Sequence, residues 1–208
     1  LNDLESAMGL TKGDPTAIAT YFNAALEYAD VCVFTRFIPT DRHIAFALAA
    51  IKDAQNHYLS SGQKIPYAGA LGREADIRTK FPANIYDPPI KALQCLEKSL
   101  DIFQGMNDQE MVFNARMRLA RIYLHPEFLK DPNNIEKALS IAYSALDNMP
   151  EDVHLERYMI LDVIGMAYAK RVYGSPVLNA SLAVSAFELI LGDFSDEEEG
   201  YCSGGIGE

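Results

Sequence analysis

The stretch Asp131–Pro150, DPNNIEKALSIAYSALDNMP, decides the fold. Aspartate suits a helix N-cap, the following proline suits the first turn, and the closing proline cannot continue a helix. Between these marks Ala138, Ala142 and Ala145 form one stripe, and small side chains there let a second helix come close. The opening recurs: Asp87-Pro88, Asp131-Pro132 and Ser175-Pro176 stand 44 residues apart each time (87 to 131, 131 to 175), with Thr40-Asp41 46 residues before Asp87. A fixed period of roughly 40–47 residues is the mark of stacked helix pairs.

Outward from that stretch, the chain reads as helix after helix. Upstream, Asn107 or Asp108 caps a helix carrying Met111, Ala115, Leu119, Ile122 and Tyr123, halted before Pro126. Before it, Ile90, Leu93, Leu96, Leu100 and Phe103 form a stripe ending at Gly105. Residues 63–86 are expected to be the least regular part, because Pro66, Gly69, Gly72 and Pro82 all weaken a helix. Thr40 or Asp41 caps a helix with Ile44, Leu48, Ile51 and Ala54 that stops at Ser60-Ser61-Gly62. Asp14-Pro15 opens another, with Tyr21, Ala24, Ala25 and Tyr28 on one face.

Downstream, a helix runs from Glu151 through Leu155, Met159, Val163, Met166 and Val172. A last one begins at Ser175-Pro176 and carries Leu182, Ala186, Leu189 and Leu191. No strand-period stretch of useful length occurs. The expected fold is all-α: about eight helices in four antiparallel pairs, one helical-repeat domain over 14–192. Residues 1–13 read as a frayed lead-in with little tertiary role. Residues 193–208 read as a flexible acidic, glycine-rich tail that cannot bury enough apolar surface to offset its ordering entropy.

Two of the pairs resemble the tetratricopeptide repeat, which places a large apolar residue, a small one and an aromatic three further on in its first helix. Ile164-Gly165-x-x-Tyr168 and Leu119-Ala120-x-x-Tyr123 carry that pattern, and Ala138, Ala142, Ala145 and Pro150 carry the second-helix one. Tyr21, Ala24, Ala25 and Tyr28 look like a weaker first-helix copy. The standard repeat is about 34 residues long, shorter than the period here, and an α-solenoid of another family accounts for that period equally. The resemblance implies a right-handed superhelical stack whose first helices line a concave face. Carried onto this chain, it implies that Phe22, Leu26 and Asp30, then Asn114, Met117, Arg121 and His125, then Asp162, Met166 and Lys170 point into the groove. Arg and Asn there would hold a peptide backbone or carboxylate, while Met and Phe would take apolar side chains.

The 208 residues carry a formal net charge of −11 and a sequence pI of about 4.8. Phosphate binding needs clustered Lys and Arg, so nucleic acid is not the expected partner. Cys32, Cys95 and Cys202 form no C-x-x-C pair, so neither a zinc site nor a disulfide framework is suggested; Cys32 and Cys95, in apolar surroundings, read as buried thiols, which favours a reducing compartment. With no run of about 18 apolar residues and no signal-peptide pattern, the chain is expected to be soluble, intracellular and cytoplasmic.

The search for chemistry ends in ordinary surfaces. Glu151-x-x-His154 is half of a di-iron motif with no second copy. Asp193 and Asp196–Glu199 lack the calcium-loop spacing. His43, His57 and His125 stand apart from any nucleophile motif, Leu71-Gly72-Arg73 is not a phosphate loop, and the glycosylation pattern Asn179-Ala180-Ser181 falls in an expected helix. The expectation is therefore no enzyme and no cofactor or metal. The expected role is a scaffold that binds a peptide segment or helix of a protein partner in its concave groove. The alternative is a regulatory or sensor domain of a longer protein whose effector lies elsewhere.

Overall fold

The computed structural model describes residues 2–11, 17–36, 38–81, 89–147 and 154–202; inside the helices, the side chains of residues 2, 7, 154–156 and 193–202 are outside that description. Among the described residues there are nine α-helices and no strand. The chain divides into two compact units, Leu1–Ala115 and Arg116–Glu208.

The first unit holds α1 (Asn2–Thr11), α2 (Ile18–Phe34), α3 (Asp41–Ser60), α4 (Lys64–Lys80), α5 (Ile90–Gly105) and the start of α6 (Gln109–Tyr123). α2 packs on α1, α3 and α4; α4 packs also on α3 and α5. Ile44, Ala47, Ile51, Ala54 and Tyr58 recur at threes and fours along α3, and all are buried against Ala25, Tyr28 and Cys32 of α2. The ends of α3 follow from local chemistry. Thr40 N–H donates to His43 Nδ1 at 3.1 Å, the reciprocal half of a capping box, and Gly62 takes φ +71 just past the C-terminus. After α5 the left-handed position falls on Asn107 (φ 56), whose N–H bonds back to the Gln104 carbonyl at 3.1 Å. Asp108 then caps α6, accepting from Met111 N–H at 3.1 Å.

Two parts of this unit depart from the sequence reading. Residues 64–80, expected to be irregular, form one continuous helix. Pro66 is its third residue, where the helix has no partner for an N–H in any case. The run of small residues Ala68, Ala70, Gly72 and Ala75 is buried between neighbours, so packing outweighs weak propensity. The lead-in is also a helix with a tertiary role. Met8 is 2% exposed, Leu4 lies against the same core, and Tyr28 Oη donates to Glu5 Oε1 at 2.7 Å. Leu4 and Met8 stand one helical turn apart, which the polar residues around them hide in the sequence.

The second unit holds the end of α6, a 3₁₀ turn at Phe128–Lys130, α7 (Asn133–Leu146), α8 (His154–Lys170) and α9 (Pro176–Cys202). α8 packs between α7 and α9. Both helix openings read from the sequence in this unit are present. Asp131 Oδ1 accepts from Asn133 N–H at 3.0 Å, and the Ser175 carbonyl accepts from Asn179 N–H at 2.9 Å. Ala138 and Ala142 are fully buried as expected, and Ala145 is half-buried. α9 runs past Leu191 to Cys202, so the stretch from 193 onward is helical that far, and 203–208 lie outside the described residues. Asp14-Pro15, Asp87-Pro88 and Pro150-Glu151 also lie outside them.

Candidate functional site

Four of the ten residues expected to line a groove fasten one helix to another. In the first unit, Asp30 of α2 accepts from Arg73 of α4, at 3.1 Å from Nε and 3.0 Å from Nη2, and Lys80 Nζ donates to the Val33 carbonyl at the end of α2. In the second unit, Arg121 of α6 donates to Asp162 of α8 at 3.0 Å, and Lys170 Nζ donates to the Leu124 carbonyl just past α6 at 3.0 Å. The order of the contacts means that α2 runs parallel to α4, and α6 parallel to α8. Each joint has the same plan: an ion pair, and three residues on a lysine on a C-terminal carbonyl, where the helix dipole favours a cation. Only the polarity of the ion pair is reversed between the two joints.

The other expected groove residues are buried or half-buried. Phe22 is 5% exposed and stacks on the His57 ring at 4.5 Å, with Tyr21 and Tyr58 beside it, so it is a core residue. Met117 is fully buried. Both are thereby removed from the accessible set. Leu26 packs on the core, while Asn114, His125 and Met166 are half-buried. Burial holds the His125 imidazole below its ordinary value; Glu127 opposes this and the Lys170 charge adds to it.

The remaining polar clusters are structural in geometry. Glu74 accepts from Gln55 Nε2 at 2.6 Å and from Arg78 Nε and Nη2 at 2.8 and 2.7 Å. Burial works to raise its carboxyl, but these hydrogen bonds and the charges of Arg78 and Lys52 outweigh it, leaving Glu74 below the usual range. Burial, with the nearby Glu74, pushes the Cys95 thiol up to about 12, and burial pushes Cys32 to about 11. Both thiols stay protonated near neutral pH, which suits packing and not nucleophilic attack. On the second unit Arg171 grips Glu136 through Nε and Nη2 at 2.7 and 2.9 Å and lies over the Tyr168 ring, whose hydroxyl meets that of Tyr143 at 3.0 Å. Among the described residues no group of three or more His, Cys, Asp or Glu could hold a metal ion.

An open surface remains on α9. Its inner face, Asn179, Ala183 and Ala186, is buried, and Asn179 Nδ2 donates to the carbonyls of Tyr173 and Arg171 at 2.8 and 3.3 Å. On the other side Val177 is 80% exposed, Val184 53% and Leu191 68%, with Ala180 exposed between them and Phe187 at the border. The Phe187 ring lies over Gly165 of α8: a Cβ built there would stand 2.6 Å from Cζ. So the small residue of the Ile164-Gly165 pattern admits an aromatic from the next helix, and not Tyr168, which turns to Tyr143.

No family model, curated protein or solved structure matches the chain.

The α9 face is what the sequence reading missed. Val177, Ala180, Val184, Phe187 and Leu191 carry alternating spacings of three and four, and that signal was present in the sequence. Leu182 and Ala186 supply a competing apolar side on the same helix, with Leu189 48% exposed on its flank, so spacing alone does not say which side is covered. Among the described residues no helix is long and apolar enough to cross a membrane. A contiguous apolar stripe in water is chemically suited to burial against another apolar surface.

Proposed function

We propose that this protein is a scaffold of tetratricopeptide-like helical hairpins in a right-handed stack, and that it binds a segment of a protein partner. The observation that carries the reading is the exposed row of Val177, Val184 and Leu191 on a helix whose opposite face is already packed. Isolated exposed apolar residues are ordinary, whereas a row along one helix face marks an interaction surface. The parallel neighbours α2–α4 and α6–α8 support the hairpin part of the reading, because stacked hairpins set first helices side by side. The seat of binding is the outer face of α9, since Asp30 is engaged with Arg73, Arg121 with Asp162 and Lys170 with the Leu124 carbonyl.

The test is differential capture. Val184→Gln and Leu191→Gln together keep helix propensity and remove the apolar row. The native protein should retain a partner that the double variant releases, while its melting temperature stays within a few degrees because both side chains already face water. A partner held equally by both proteins would move the binding surface off α9.

A further inference from the structure

We infer that the α9 face takes an amphipathic helix whose apolar seam is flanked by lysine and arginine. This rests on the reading of α9 as the docking face. The steps 177, 180, 184, 187 and 191 are the 3–4 alternation with which two helices interlock side chains. An extended segment repeats every two residues and cannot keep register with it. The row from Val177 to Leu191 is about 21 Å long at 1.5 Å per residue, so about two heptads of partner helix cover it.

Charge selects among helices. Every charged residue from Val172 to Glu208 is acidic: Glu188 and Asp193, then Asp196–Glu199, then Glu208. The nearest preceding cations are engaged, Lys170 on the Leu124 carbonyl and Arg171 on Glu136. A second copy of α9 would bring only like charges to the interface and gain no opposite pair. Within the row the one charge is Glu188, and Asp193 and Asp196–Glu199 follow its C-terminal end, so a partner with Lys or Arg beside its seam gains opposite pairs toward that end, and its approach is steered. The same acidity repels an anionic membrane surface or a nucleic acid backbone.

Three synthetic peptides of three heptads test this with the full chain, by fluorescence anisotropy. One has Leu and Val at the seam and Lys beside it; the second replaces Lys with Glu; the third has the first composition in scrambled order. The Lys heptad peptide should bind on the order of tenfold more tightly than either other peptide, since several exposed charge pairs sum to about that factor. Its affinity should fall several-fold from 50 to 300 mM salt, and it should be lost on V184Q/L191Q. Equal binding of the Lys and Glu peptides, or of the ordered and scrambled Lys peptides, overturns the inference. So does binding by none, or a dimer in sedimentation that V184Q/L191Q dissolves. If the peptides fail while differential capture still distinguishes the native protein from the variant, the docking face stands and only its occupant is wrong.

Discussion

Gly165 shows how one hydrogen atom can set the distance between two helices. A methyl group there would lie 2.6 and 2.7 Å from Cζ and Cε1 of Phe187, so the ring must swing away from α8. Displacing a packed ring costs about 1–3 kcal/mol, while alanine gains about 1 kcal/mol over glycine in helix propensity. Gly165→Ala should therefore destabilise the protein by about 1 kcal/mol, the difference of those two terms. In a Phe187→Ala background the clash is gone and the same change should stabilise. A thermodynamic cycle by urea unfolding reads the sign, and a Gly165→Ala cost that persists without the Phe187 ring would place its origin elsewhere. The aromatic that the repeat-like pattern pairs with Gly165 is Tyr168, whose hydroxyl meets that of Tyr143. Tyr168 is three residues on in the chain, but the ring that reaches the gap comes from α9, a neighbour no local pattern names.

At the scale of elements, the two joints and the first helix carry the argument. Lys80 and Lys170 each sit on a carbonyl at the end of a parallel neighbour. Replacing either with Met keeps the aliphatic stem and removes the cation, at a cost of about 0.5–1 kcal/mol each. The two sites lie in separate units and share no partner, so the costs should add in the double variant. Hydrogen exchange should quicken locally, at the end of α2 for Lys80→Met and of α6 for Lys170→Met. Unchanged exchange at both ends would mean that the lysines are ordinary solvated residues. The resemblance implied Asp30, Arg121, Asp162 and Lys170 as groove residues, and the structure engages each of them with another helix or its end. What they touch was not legible in the sequence, because a charged side chain at such a position serves a ligand or a neighbouring helix equally well. α1 and α4 were illegible for a simpler reason: glycine, proline and polar residues lower local propensity, and burial of Met8, Ala70 and Ile77 in a shared core overrides it.

For the whole molecule, the acid limb of stability follows from two groups. Glu74 titrates below its ordinary value in the folded protein, so its contribution is complete above about pH 4.3 and is lost as pH falls through the folded value. His125 is also held below its ordinary value. Below about pH 6.5 the unfolded chain takes up a proton that the folded one resists, and stability again falls with pH. Urea midpoints should therefore decline from pH 7 to 5 and more steeply below. His125→Asn should flatten the first part, and Glu74→Gln the second. Glu74→Gln should also cost about 1–3 kcal/mol at pH 7, because Arg78 loses its partner in a side-chain pair only 15% and 14% exposed. A native-like pH profile in both variants would assign the acid limb to other groups.

The sequence by itself determined that the chain is helical and where α3, α6, α7 and α9 begin, because caps, prolines and a 3.6-residue apolar period act within one or two turns. It also determined the acidic character of everything after Arg171. Only the tertiary structure decided which apolar side of α9 is covered, which small residue receives a ring, and that the inward charges hold helices together. Each of those depends on what stands opposite a side chain in space, and a one-dimensional period contains the spacing of a face but not the identity of its neighbour.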